Sequence, residues 1–92
     1  MKITSTRMTS GCYEARVTIP LDGVPAECVC EIYYNQEGFN PFWAFIIRRD
    51  GQIICGTEEA YQTKRDVLAA IAKMTKTGLK YHDSIGWCLV AD

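Results

Sequence analysis

Five cysteines and one histidine are the residues of this sequence with the widest chemical range. Cys28 and Cys30 stand two positions apart, so a strand would point both thiols to the same face. Structural zinc sites use two such pairs at wider spacing, or complete the ligand set with histidines. Cysteines at apolar strand positions more often pack as small hydrophobic side chains. We therefore expect these thiols in the core, and neither a metal nor another cofactor.

Thiol catalysis would need Cys88 to act with His82 and Asp83. A catalytic thiol requires a lowered pKa and an imidazole within hydrogen-bonding reach. Cys88 instead stands between Trp87 and Leu89 in an apolar stretch that resembles a strand. This context favours a structural cysteine.

Glycines and carboxylates give no sign of phosphate binding or of acid–base catalysis. The seven glycines stand singly and form neither GxGxxG nor GxxxxGK[ST]. The carboxylate pairs Glu27/Glu31 and Glu58/Glu59 are better explained by a solvated strand face and by the charge preference of a helix start. The sequence thus predicts a protein that is not an enzyme.

Acidic and basic residues are distributed unevenly along the chain. Residues 10–47 hold five acids and one base, a net charge of −4, whereas residues 48–80 hold seven bases and four acids, a net charge of +3. Arg65, Lys73 and Lys76 fall on one side of a predicted helix, as in surfaces that face nucleic-acid phosphates, and Arg48 and Arg49 extend the basic region. The same lysines are also typical of a solvated helix face. Because the total charge is only −1, we expect any RNA contact within a larger interface.

An aromatic and apolar segment is the strongest indication of a protein interface. Residues 42–47 read Phe-Trp-Ala-Phe-Ile-Ile, so a strand here has two apolar faces. Such a strand is either covered on both sides or exposes one face for use. Tyr33, Phe39 and Trp43 are of the type that interface centres use. The alternative is that these side chains only fill the core of a small domain.

Alternation and turn signals predict two hairpins. Residues 12–19 and 26–34 alternate apolar and polar side chains, with Glu27 and Glu31 on the outer face of the second strand. The segment Pro20–Pro25 between them predicts a turn with Asp22-Gly23 at its tip. A second hairpin is predicted from residues 42–49 and 52–56, which flank Asp50-Gly51.

One helix follows the hairpins. Thr63 with Asp66 resembles a capping box, Gly78 suits a helix end, and Val67, Leu68, Ile71, Met74 and Thr75 form an apolar stripe. Residues 3–8 and 84–90 are candidates for further strands. We therefore predict an α+β fold, with a four- to five-stranded, mainly antiparallel sheet and one helix packed on one face.

Length and composition fit one domain in a reducing compartment. The 92 residues suffice for a single domain, and 48% of them are apolar. The first residues lack the apolar region of a signal peptide, and no apolar run reaches the length of a membrane span. An odd number of cysteines without a framework spacing favours free thiols in the cytoplasm.

A local resemblance covers about a third of the chain, within residues 43–74. The run Trp-Ala-Phe-Ile-Ile-Arg-Arg-Asp-Gly-Gln-Ile-Ile at 43–54, with Glu-Ala-Tyr-Gln-Thr-Lys at 59–64 and Leu-Ala-Ala-Ile at 68–71, resembles the small bacterial YegP-like hairpin-plus-helix module. This resemblance implies a small structural or protein-interaction module. In one variant of this interpretation, the module dimerises through residues 42–47.

A second resemblance covers the whole chain. Its length, the block Tyr-Glu-Ala-Arg-Val-Thr-Ile-Pro-Leu-Asp-Gly at 13–23 and the segment Tyr-Tyr-Asn-Gln-Glu-Gly-Phe-Asn-Pro-Phe-Trp at 33–43 resemble phage-encoded anti-CRISPR proteins of the type I-F group. The resemblance implies a binder of the crRNA-guided surveillance (Csy) complex that stops it from engaging target DNA, in the cytoplasm of an infected bacterial host. It implies Cas protein subunits as partners and leaves contact with crRNA open.

The anti-CRISPR interpretation is the leading hypothesis, with the YegP-like module as the alternative. Stoichiometric occupation of the complex would need neither a small-molecule substrate nor a membrane. Acidic strand faces would meet basic subunits, and the helix stripe would meet guide RNA or acidic subunit patches. We expect the partner contacts to come from the following residues: Arg48, Arg49, Arg65, Lys73, Lys76, Glu27, Glu31, Tyr33, Phe39 and Trp43.

Overall fold

The computed structural model describes residues 3–36, 40–56 and 60–89, with only the backbone of Leu89. In these residues the elements follow one another as β1 (Thr6–Thr9), β2 (Cys12–Leu21), β3 (Val24–Asn35), β4 (Phe42–Arg49), β5 (Gln52–Gly56), α1 (Lys64–Thr77), β6 (Leu79–His82) and β7 (Gly86–Leu89). The predicted α+β class and single helix are confirmed. The predicted strand number is wrong, because the described sheet has seven strands rather than four or five.

The sheet follows the order β5-β4-β3-β2-β6-β7, and β1 pairs with the beginning of β2. All pairs are antiparallel except β2 with β6, which meet in parallel at Leu21 and Leu79. The long hairpin β2–β3 forms the centre, and β5 and β7 approach each other at the two ends of the order. The sheet therefore coils into a nearly closed barrel.

The strands beyond the predicted four or five lie near the ends of the chain. β1 and β7 fall within or beside the candidate strands 3–8 and 84–90, whereas β6 had no prediction. β6 has only four residues, and its place depends on contact with the end of β2. Pairing between segments so distant in sequence leaves no local pattern to recognise.

Both predicted hairpins have the predicted turns. Asp22 and Gly23 have φ of 50° and 82°, and Asp50 and Gly51 have φ of 51° and 81°. Two positive φ angles are what a type I′ turn requires. The first turn is shorter than the predicted segment, because β2 and β3 continue through Pro20 and Pro25, which face each other.

Helix α1 packs along β2 and closes the core. Thr63 caps its first turn, where Oγ1 accepts a 3.1 Å hydrogen bond from the backbone N–H of Asp66. Val67, Ile71 and Met74 are buried in one cluster with the inward residues of β2, β3 and β4. The predicted apolar stripe of the helix is thereby confirmed at these three positions. No helix in the described part of the chain is long and apolar enough to cross a membrane.

Candidate partner-binding surfaces

The two faces of the sheet differ in what lies against them. We call the face that packs against α1 the covered face; its buried residues include Ala15, Cys30 and Ile47, which the strand pairing aligns in one row. We call the opposite face the open face, because none of the described helices or strands packs on it. Its members alternate along β2, β3 and β4 with the residues of the covered face, and all but the buried Ala44 are exposed or half-buried: Cys12, Glu14, Arg16, Thr18, Glu27, Val29, Glu31, Tyr33, Phe42, Ala44, Ile46 and Arg48.

Four charged side chains occupy the middle of the open face. Glu14 and Glu31 lie directly opposite each other on β2 and β3, an arrangement of like charges that destabilises a sheet. Each carboxylate has an arginine beside it. Arg48 Nε donates to Glu31 Oε1 at 2.9 Å, whereas Arg16 Nε lies 3.9 Å from Glu14 Oε1. The arginines offset the repulsion between the two glutamates, and the Arg48–Glu31 pair is the closer of the two.

Beside this cluster the open face contains a shallow cavity of about 480 Å³. It lies where β2, β3 and the turn between β4 and β5 meet. The lining consists mainly of open-face and turn residues, with Val17 and Cys28 from the covered face: Arg16, Val17 and Thr18 from β2, Glu27, Cys28 and Val29 from β3, Arg48 from β4, and Asp50 and Gly51 from the turn. Charged, polar and apolar groups thus converge at one place, as they do in binding sites.

The second surface is the outer side of α1. Arg65, Lys73 and Lys76 are exposed, with exposed Ala69 between them at helical spacing. Lys64 departs from this stripe, because its Nζ lies 3.5 Å above the centre of the Tyr13 ring. Since the opposite side of the helix packs on the covered face of the sheet, the basic stripe and the open face point in opposite directions.

The aromatic residues lie in two different places. Trp43 packs beside Tyr34 and Tyr13, with ring centres 5.1 and 6.1 Å away, and exchanges two backbone hydrogen bonds with Tyr61. Trp43 therefore packs at the edge of the core, on the same side of the sheet as the helix. Tyr33 is half-buried on the open face, and Phe39 lies outside the described residues.

The ten predicted contact residues are thus divided rather than brought together. Glu27, Glu31, Tyr33 and Arg48 share the open face, whereas Arg65, Lys73 and Lys76 share the outer side of α1. Arg49 is exposed at the end of β4, where its charge partly offsets the effect of burial on the pKa of Cys28.

Sequence reasoning missed the cavity, including Asp50 and Thr18. Alternation along β2 already placed Thr18 with Glu14 and Arg16 on one face. The position of Asp50 beside Glu27, however, depends on the register between β3 and β4, which alternation does not predict.

The cysteine side chains are free thiols. Cys28 and Cys30 are buried, as predicted, and burial raises the pKa of Cys28 and raises that of Cys30 to about 12. Cys88 lies opposite Lys80, and its Sγ donates to the carbonyl of Gly86. Within the described residues no group of three or more His, Cys, Asp or Glu side chains is arranged to hold a metal ion.

Comparison with known proteins gave no match to a family model, to a curated protein or to a solved structure. The resemblances to anti-CRISPR proteins and to the YegP-like module stay predictions from the sequence.

Proposed function

We propose that this protein is an anti-CRISPR inhibitor that binds the type I-F crRNA-guided surveillance complex and blocks its binding of target DNA. The resemblance of residues 13–23 and 33–43 supplies the identity of the partner. The structural observation that supports it is the presence of two differently charged surfaces on opposite sides of one small domain. A protein of this shape can contact two components of an assembly at once.

The two surfaces suit different parts of such a partner. The open face carries the carboxylates of Glu14, Glu27 and Glu31 against two guanidinium groups, and it would contact basic Cas subunits. The stripe of Arg65, Lys73 and Lys76 would contact guide RNA or acidic patches of a subunit. Occupation of these surfaces in the host cytoplasm would exclude DNA without any chemical step.

A mobility-shift experiment tests this function. Purified type I-F surveillance complex is incubated with increasing molar ratios of the protein, and labelled target DNA is then added. We expect DNA binding to be lost near a small whole-number ratio, because the inhibitor acts stoichiometrically. Full DNA binding at large excess of the protein would exclude this mechanism.

Charge-reversal variants test whether both surfaces take part. We expect Lys73→Glu with Lys76→Glu, and separately Glu27→Lys with Glu31→Lys, to raise the ratio needed for inhibition. Arg7→Glu on exposed β1 is the control for a change of charge sign elsewhere. Unchanged inhibition by both double variants would contradict the assignment of these surfaces, provided that circular dichroism shows both variants folded.

The alternative function is a small YegP-like interaction module with a different protein partner. Light scattering on the purified protein separates it from the proposal. A stable dimer with no affinity for the surveillance complex would support the alternative, and a monomer that binds the complex would support the inhibitor.

A further inference from the structure

We propose that the cavity on the open face receives an arginine or lysine side chain of a partner protein. The inference rests on the proposed function for the identity of the partner only. The chemistry of the site follows from which of its charges are already paired and which are not.

Both arginines of the cavity have a glutamate beside them, but only Arg48 is hydrogen-bonded to its neighbour. Arg48 donates to Glu31 at 2.9 Å, and both side chains are partly shielded, with 35% and 39% of their area exposed. Arg16 lies 3.9 Å from Glu14 and is 84% exposed, so its charge is partly offset and otherwise solvated. A ligand anion would have to compete with carboxylates that are held beside both guanidinium groups.

The acidic side chains that line the cavity, by contrast, are not paired within the described residues. Glu27 and Asp50 are exposed on its lining, and neither forms an ion pair or side-chain hydrogen bond within the described residues. Glu27 lies on β3, and Asp50 lies in the turn that follows β4, the strand next to β3. With Glu14 and Glu31 counted beside the two arginines, the excess charge at the cavity is therefore negative.

The remaining lining suits a long cationic side chain. Val29 is half-buried, lies directly opposite Arg16 on one side and Arg48 on the other, and offers apolar surface to the methylene groups of an arginine or lysine. Thr18 lies opposite Glu27, so its hydroxyl adds a hydrogen-bond acceptor beside that carboxylate. A guanidinium or ammonium group would then lie among Glu27, Asp50 and Thr18.

The same features argue against nucleic acid at this place. A phosphate entering the cavity would approach two unpaired carboxylates, and beside each arginine it would meet a further one, Glu14 or Glu31. Like charges at short range disfavour such a contact. We therefore assign the cavity to a basic polypeptide surface and make nucleic acid the competing outcome of the test.

The first experiment uses isolated, isotope-labelled protein and short probes. Its amide signals are followed by NMR during titration with acetyl-Gly-Arg-Gly-amide, with the matching glutamate peptide and with a thymidine hexanucleotide. We expect the arginine peptide to shift the signals of residues 16–18, 27–29 and 48–51 at millimolar concentration. Shifts there from the hexanucleotide or the glutamate peptide, or no shift from the arginine peptide, would overturn the proposal.

A charge-neutral variant makes the test specific. Glu27→Gln with Asp50→Asn keeps the size of both side chains, and asparagine tolerates the positive φ of position 50. We expect this variant to bind the arginine peptide roughly tenfold more weakly, because two charged contacts are lost. Asp83→Asn, in the exposed turn before β7, is the control for loss of a carboxylate and should bind as the wild type does. Equal binding by the double variant would contradict the proposal.

The same variant is then tested for binding to the surveillance complex. We expect its dissociation constant to rise roughly tenfold, whereas that of Asp83→Asn stays unchanged. If the wild type itself does not bind the complex, the proposed function fails, and the peptide titration still decides the chemistry of the cavity. If the wild type binds and the double variant binds equally well, the cavity does not contribute to that interface and the inference fails.

Discussion

The covered and open faces of the sheet are made by alternate residues of the same strands, yet they have opposite properties. On β4, Ile47 is fully buried beneath α1, whereas its neighbour Ile46 is half-exposed on the open face. On β3, Cys30 and Ile32 are fully buried, whereas Glu31 between them forms an ion pair at the surface. Burial of apolar area is the main source of stability, so the covered face stabilises the fold.

The largest expected contrast between the faces is in thiol reactivity. The pKa of Cys30 is about 12 instead of the usual 9.0, so at pH 8 its thiolate fraction is about a thousandfold below that of an ordinary thiol. Cys12 belongs to the open face, opposite Tyr33, and is only partly buried. We expect iodoacetamide to modify Cys12 long before Cys30, as measured by tandem mass spectrometry of timed samples. Equal rates in the native protein would show that the covered face is accessible.

Neighbouring isoleucines on β4 test the same contrast through stability. Ile47→Ala removes buried methyl groups and leaves a cavity, so we expect the free energy of unfolding to fall by about 2–5 kcal/mol. Ile46→Ala removes the same groups from the open face, and we expect a loss of about 1 kcal/mol. Urea unfolding of both variants measures the difference. Equal losses would mean that another part of the chain covers the open face as tightly as α1 covers the other.

Alternation in the sequence was sufficient to predict these two faces on β2 and β3, but not on β4, where both faces are apolar. The pattern of residues 26–34 placed Ala26, Cys28, Cys30 and Ile32 inward, and all four are buried. The two Asp-Gly pairs predicted both turns, because glycine and, less often, aspartate are among the few residues that adopt positive φ. The local sequence was sufficient to predict these features, because the residues that interact in them are close in sequence.

β1 overlaps the candidate strand at residues 3–8, although its four residues are exposed and show no apolar alternation. The features that were not predicted depend on contacts between distant segments. The parallel contact of β6 with β2 requires α1 to return the chain to Leu21. The cavity depends in the same way on register, since only the pairing of β3 with β4 brings Asp50 beside Glu27.

The return of the chain from α1 to the end of β2 depends on Gly78. Its φ is 81°, and a Cβ atom there would lie 2.7 Å from the carbonyl oxygen of Pro20. We expect Gly78→Ala to lower the free energy of unfolding by about 2–3 kcal/mol, from a strained φ and a clash with backbone. Gly51→Ala is the control for a positive φ with no atom within 4 Å, and we expect a loss of about 1–2 kcal/mol. Gly78 adds to this the contact with Pro20 and a ψ of −177°, a combination with positive φ that is almost confined to glycine. Thermal unfolding of both variants measures the difference, and equal losses would contradict a close approach at Pro20.

The smallest expected effect is on the open face, at the pair of Arg48 and Glu31. Both side chains are more than a third exposed, so solvent screens their attraction and we expect a coupling free energy below about 1 kcal/mol. A double-mutant cycle of Arg48→Met and Glu31→Gln, measured by urea unfolding at low and high salt, gives this value. We expect it to decrease with salt, whereas the loss caused by Ile47→Ala should not. A coupling of several kcal/mol, insensitive to salt, would mean that this pair is buried in solution and that the open face contributes to stability as the covered face does.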